Sequence, residues 1–150
     1  MKKSFYYFSI CILFFSCFFF TSSAQVAFVS EQNGIITIST SGTDKKVDNA
    51  ISEAEKYVFY YVFYRGVPGS TILKTGLIDV PEDEAEQKYK EYFDAFYKTR
   101  YQTFVISISQ NGDIAKGKHR KKSVYFDVTI NVDALRKDLE QNQVIRKFGF

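Results

Sequence analysis

From Ser123 to Val132 the chain alternates without a break: Val124, Phe126, Val128, Ile130 and Val132 on one parity, Ser123, Tyr125, Asp127, Thr129 and Asn131 on the other. Successive side chains of a strand point to opposite faces, so this run is a strand with one buried and one wet face. That pattern belongs to antiparallel sheets, which need cover on one side only. Thr103 to Ser109 has the same period, with Phe104, Ile106 and Ile108 expected inward and Val105, Ser107 and Ser109 outward. Asn111-Gly112 and a polar loop join the two strands as an antiparallel pair.

Val26–Ser30 and Ile35–Thr40 are β-branched, apolar runs separated by Glu31-Gln32-Asn33-Gly34. Asn-Gly tolerates positive φ, so a hairpin is expected. Ser41-Gly42-Thr43-Asp44 then breaks the strand and offers Thr43 or Asp44 as a helix N-cap. Val47, Ala50, Ile51, Ala54, Tyr57, Val58, Tyr61 and Val62 follow at helical spacing as far as Arg65-Gly66, and Pro68-Gly69 forms a turn. A short strand is expected within Ser70–Ile78. A second helix starts at Asp79-Val80-Pro81 and runs to about Lys98, with Ala85, Tyr89, Tyr92, Phe93 and Phe96 on its apolar stripe. A last short helix from Asp133 carries Leu135 and Leu139. The expected fold is an α+β two-layer sandwich: a mainly antiparallel sheet of about four strands, two main helices on one face, and a short C-terminal helix.

Lys2 and Lys3 precede an apolar run from Phe5 to Phe20, and Thr21-Ser22-Ser23-Ala24 supplies small residues. This is the layout of a secretory signal peptide, with cleavage expected after Ala24 and residues 25–150 forming one domain. The run is shorter than the roughly 20 residues of a spanning helix, so no transmembrane segment is expected in the mature form. Lipidation at Cys17 is the rival, although Phe14 stands where a lipobox has leucine. Cys11 and Cys17 both lie in the leader, so the exported domain relies on core packing rather than disulfides. Removing Lys2 and Lys3 from 20 basic residues leaves 18 against 17 acidic ones, a net charge of +1. Nothing in that balance points to a nucleic-acid partner.

One histidine, His119, and no cysteine beyond the leader leave no zinc or iron ligand set, and no cofactor is implied. Gly-x-Ser-x-Gly is absent, and Glu82, Asp83, Glu84 and Glu86 cluster where a helix N-terminus attracts acids for stability alone. A hydrolase would need a buried carboxylate with a raised pKa in a cleft. Two features remain. Lys116, Lys118, His119, Arg120, Lys121 and Lys122 form a basic loop. It is either a solvated hairpin end or a contact for anionic lipid or glycan, where each basic residue contributes about 1 kcal/mol at an anionic membrane. Phe59, Tyr60, Phe63 and Tyr64 lie off the stripe of the first helix, making its end apolar nearly all round. Such a helix is buried on all sides, within the domain or against an envelope protein or a second copy. A pocket lined by Tyr60, Tyr64 or Tyr92 would favour carbohydrate or lipid binding.

The pattern from Gly42 through Ala50, Ala54 and Phe63 to Arg65-Gly66-Val67-Pro68-Gly69-Ser70, with the ending Val132 to Gln141 and Val144 to Gly149, resembles a group of uncharacterised secreted bacterial envelope proteins. More distantly it is similar to the amino-terminal domain of flagellar assembly protein T and related small outer-membrane lipoproteins. That resemblance implies an α+β periplasmic interaction domain without known catalysis, and the expected role is a periplasmic or surface-associated interaction module.

Overall fold

The computed structural model describes residues 26–116 and 121–147. Strands β1 (Val26–Gln32) and β2 (Ile35–Asp44) form the expected hairpin, with Asn33 and Gly34 at φ 51° and 73° in its tip. Helix α1 (Val47–Tyr60) continues into a π-helical turn, Tyr61–Arg65. Helices α2 (Glu82–Lys88) and α3 (Lys90–Lys98), a 3-10 turn (Arg100–Thr103), strands β3 (Val105–Gln110), β4 (Ala115–Lys116) and β5 (Lys122–Asn131), and helix α4 (Val132–Gln141) complete the order. All pairing is antiparallel, in the order β1-β2-β5-β3, with β4 on β5 beyond the end of β3. The α+β layering read from the alternation of β5 is the observed one.

The inner face of the sheet is the floor of the core. Ile36 and Ile38 of β2 and Val124, Phe126, Val128 and Ile130 of β5 are all buried there. Helix α1 lies on β2 and β5 through small residues. A Cβ on Gly42 would fall 1.8 Å from the Ala50 carbonyl oxygen, so strand and helix backbones touch only because position 42 lacks one. Gly42 does not break β2: the strand pairs with β5 along all ten residues, to Asp44. The cap follows suit. Neither Thr43 nor Asp44 is the N-cap; that position is Lys46, whose N–H donates to Asp44 Oδ1 at 3.0 Å.

Two other local expectations give way. The segment Ser70–Ile78 forms no strand, because its backbone donors serve the end of α1 rather than a sheet edge. Leu77 N–H donates to the Val62 carbonyl and Ile78 N–H to the Phe63 carbonyl, both at 2.9 Å. Those carbonyls belong to the last turn, where helices lack their own donors. The second helix is two, since Tyr89 at φ −116° and ψ 33° interrupts it. Helix α4 begins at Val132 and is capped by Asn131, whose Oδ1 accepts from Ala134 N–H at 2.9 Å.

The strand alternation is also broken in two places. Pairing of β3 with β5 slips between Val105 and Ser107, and that of β1 with β2 between Phe28 and Ser30. Each slip is a bulge, which inserts one residue and reverses parity beyond it. Val105 and Ile108 therefore face the core while Ile106 is 53% exposed, contrary to the expected inward set of Phe104, Ile106 and Ile108. Phe104 is buried, but from the turn before the strand.

Candidate binding surface

The aromatic end of α1 is spent inside the fold. Phe59 and Phe63 are fully buried, with ring centroids 5.1 Å and 5.0 Å from Phe96. Phe63 also meets Phe93 edge-on at 5.8 Å, a favoured aromatic geometry. The π-helical turn, the wrap from Val67 to Ile78 and helix α3 enclose this end. Of the two alternatives for Phe59 and Phe63, burial within the domain is the observed one, and neither is part of a partner surface. Tyr60 and Tyr64 remain half-buried, and Tyr60 is engaged by Arg65, whose Nε donates to Tyr60 Oη at 3.0 Å.

The buried carboxylates are anchors. Asp138 accepts from Tyr92 Oη at 2.8 Å and pairs with Arg100, tying α3, the 3-10 turn and α4 together. Burial pushes the Glu55 carboxyl above its ordinary value, against the pull of a hydrogen bond from Tyr101 and of Lys56. Tyr101 Oη also lies 3.1 Å from Ser52 Oγ. On β1, Glu31 reaches across to the Pro68-Gly69 turn, accepting from Ser70 Oγ at 2.6 Å and from Thr71 N–H at 2.9 Å. The hydroxyls of Ser70 and Thr71, and then the Thr71 N–H, hold that carboxyl down at about 2.

Shallow grooves lie around the helices among the described residues. Glu86 and Tyr97 line one of about 510 Å³ beside Asp83, Lys90, Phe93 and Asp94. Burial, and next the charges of Glu82 and Asp94, push the Glu86 carboxyl up. Tyr64 Oη has no hydrogen-bond partner among the described residues, and burial pushes its phenol well above the usual tyrosine range. Tyr92 lines a second groove, of about 650 Å³, with Arg100 and Asn142. Others of about 730 Å³ and 360 Å³ lie by Val80 and Ile145 and by Asn49 and Lys56. Neither Glu55 nor Asp138 lines any of these grooves, and neither do Tyr60 and Tyr64.

Lys118, His119 and Arg120 lie outside the described residues. Lys121 and Lys122 are exposed, and β-pairing sets Lys122 opposite both Lys116 and Asp44. Lys121 helps to lower the Asp44 carboxyl, after the Lys46 N–H and the Asn49 amide have done more.

What remains is the outer face of the sheet. Residues opposite one another across a ladder share a face. One row therefore runs Ser30, Thr37, Thr129, Ser107 across four strands, and the next runs Ala27, Ser39, Asp127, Ser109. Thr37 and Thr129 hydroxyls bond to each other at 3.0 Å. No outward residue in either row is buried. Beside the second row Tyr125 stands 51% exposed on a central strand. Asn111 donates its side-chain amide to Asp127 Oδ1 at 3.1 Å and its backbone N–H to the Tyr125 carbonyl at 2.8 Å. At the two edges the bulges expose Val29 and Ile106. Outward parity of Tyr125, Asp127 and Thr129 was readable from their alternation; their neighbours on other strands depend on register and were not.

Among known proteins, no family model, no curated protein and no solved structure matches this chain. Among the described residues no helix is long and apolar enough to cross a membrane.

Proposed function

We propose that this chain is a non-catalytic interaction module of the bacterial cell envelope, exported by its apolar leader to the periplasm or surface, and that it works through the open face of its sheet. The observation that carries the reading is the contrast between Phe59 and Phe63, sealed inside, and Tyr125, displayed on a central strand. A large aromatic held out by a rigid sheet costs little conformational entropy to immobilise, which is why exposed tyrosines serve recognition well. Asp138 and Glu31 favour the non-catalytic reading, since both carboxylates are engaged by structural partners. The leader and the resemblance to secreted envelope proteins support the compartment.

Co-sedimentation with the envelope fraction of the producing cells tests this. The exported protein pellets with envelopes, and Tyr125→Ala leaves it in the supernatant with an unchanged melting temperature. Pelleting that is indifferent to Tyr125→Ala contradicts the assignment of the face. An intact Met1 in the native protein, read by mass spectrometry, contradicts the export.

A further inference from the structure

We infer that the open face of the sheet binds an uncharged glycan chain, with Tyr125 as the stacking platform and the Asn111–Asp127 pair as the hydrogen-bonding fork. The inference rests on the reading above and adds the chemical class of the ligand.

Charge argues first. A quarter of the sequence is charged, yet of the eight residues in the two complete rows only Asp127 is. An anionic partner would be repelled by that carboxylate, while the lysines that could attract one lie at the far end, around Lys122. A protein partner would call for a cluster of large aromatic or arginine anchors at the centre of the patch, where this face has Tyr125 alone beside Thr37, Ser39 and Thr129. Area argues next. Four strands spaced about 4.8 Å apart give a face about 14 Å wide, and ten-residue strands make it about 33 Å long. The product, about 460 Å² in plane, is an upper bound because β1 has seven residues and β3 six, and it is small beside the roughly 800 Å² of surface per partner that a stable dimer buries.

Chemistry then selects the occupant. A sugar presents hydroxyl groups around its edge and C–H groups on its faces. Tyr125, half exposed on the outer face, offers an aromatic ring suited to the apolar face of a sugar. Asp127, oriented by the Asn111 amide, keeps acceptor sites for sugar hydroxyls, and hydrogen bonds to a carboxylate are about twice as strong as neutral ones. The Ser and Thr rows each donate and accept, so they match a hydroxylated ligand in any orientation.

The test is a titration of the exported protein, followed by amide NMR shifts, with chitotetraose and cellotetraose as neutral probes and polygalacturonate as the anionic one. Saturable shifts with a neutral probe, centred on Tyr125, Asn111, Asp127 and Thr129, are expected. Tyr125→Ala should raise the Kd at least tenfold, and Ser39→Lys, which plants a long side chain in the row of Asp127, should do the same by another route. Absence of saturable shifts at millimolar neutral probe, shifts confined to the helical side, or an equal response to polygalacturonate overturns the inference. Face-dependent co-sedimentation without glycan shifts overturns the inference alone and leaves the broader reading standing; co-sedimentation indifferent to Tyr125→Ala removes both.

Discussion

The two faces of one sheet carry opposite chemistry. On the inner face of β5, Val124, Phe126, Val128 and Ile130 are sealed under α1; on the outer face of the same strand, Tyr125, Asp127 and Thr129 meet solvent. The inner residues repay burial at roughly 25 cal/mol per Å² of apolar surface, so their identity is dictated by folding. The outer residues contribute little to that and are free to serve something else. Exposed sheet faces are usually kept soluble by lysine and glutamate; this one is kept soluble by hydroxyls.

The sharpest way to break that contrast is to cut into each side. Phe63→Ala should cost about 3–5 kcal/mol, because Phe93 and Phe96 lose the ring that both lean on. Urea denaturation measures it. Asp138→Ala should come next, at about 1–3 kcal/mol, since it strands the Tyr92 hydroxyl and unpairs an Arg100 that is still partly solvated. Ser39→Ala on the outer face should stay within about 0.5 kcal/mol. An Ser39→Ala loss as large as that of Asp138→Ala would mean that the outer face is covered after all.

Two carboxylates sharpen the picture through pH, with opposite signs. Glu31 is held down at about 2 in the folded state, so it stabilises fully above 4.5, its ordinary value, and that contribution drains away as pH falls toward 2. Glu31→Gln should lower the melting temperature at pH 7 and change it little at pH 2. Glu55 is raised, so the folded state holds its proton more tightly, and stability declines as pH climbs from 4.5 through the raised value. Glu55→Gln should flatten that decline. The smallest effect expected is none: replacing Lys121 and Lys122 by serine leaves envelope co-sedimentation unchanged if the sheet face, rather than the basic loop, makes the contact.

The parts of this architecture written in local patterns were legible from the chain. The alternation of Ser123–Val132, the Asn33-Gly34 turn, the Gly66 end of the first helix and the Leu135–Leu139 stripe each reflect a short-range rule that tertiary contacts did not override. The misses share a different cause. Ile106 turned outward because a bulge inserted one residue, and nothing in Val105-Ile106-Ser107 marks it. The strand expected within Ser70–Ile78 was lost to the carbonyls of Val62 and Phe63, partners more than ten residues away. For Phe59 and Phe63 burial within the domain was one of the two readings, since helical spacing shows which residues leave a stripe, not what wraps around to cover them. The outer face was half legible: one strand's outward residues could be named, but rows crossing four strands exist only once register is set.

The most direct test measures stability and binding on the same outer-face variants. For Tyr125→Ala and Ser39→Lys, urea midpoints should match the unmodified protein within error while co-sedimentation with envelopes is lost. If binding and stability fall together, or if neither moves, the division of labour between the two faces of the sheet is wrong.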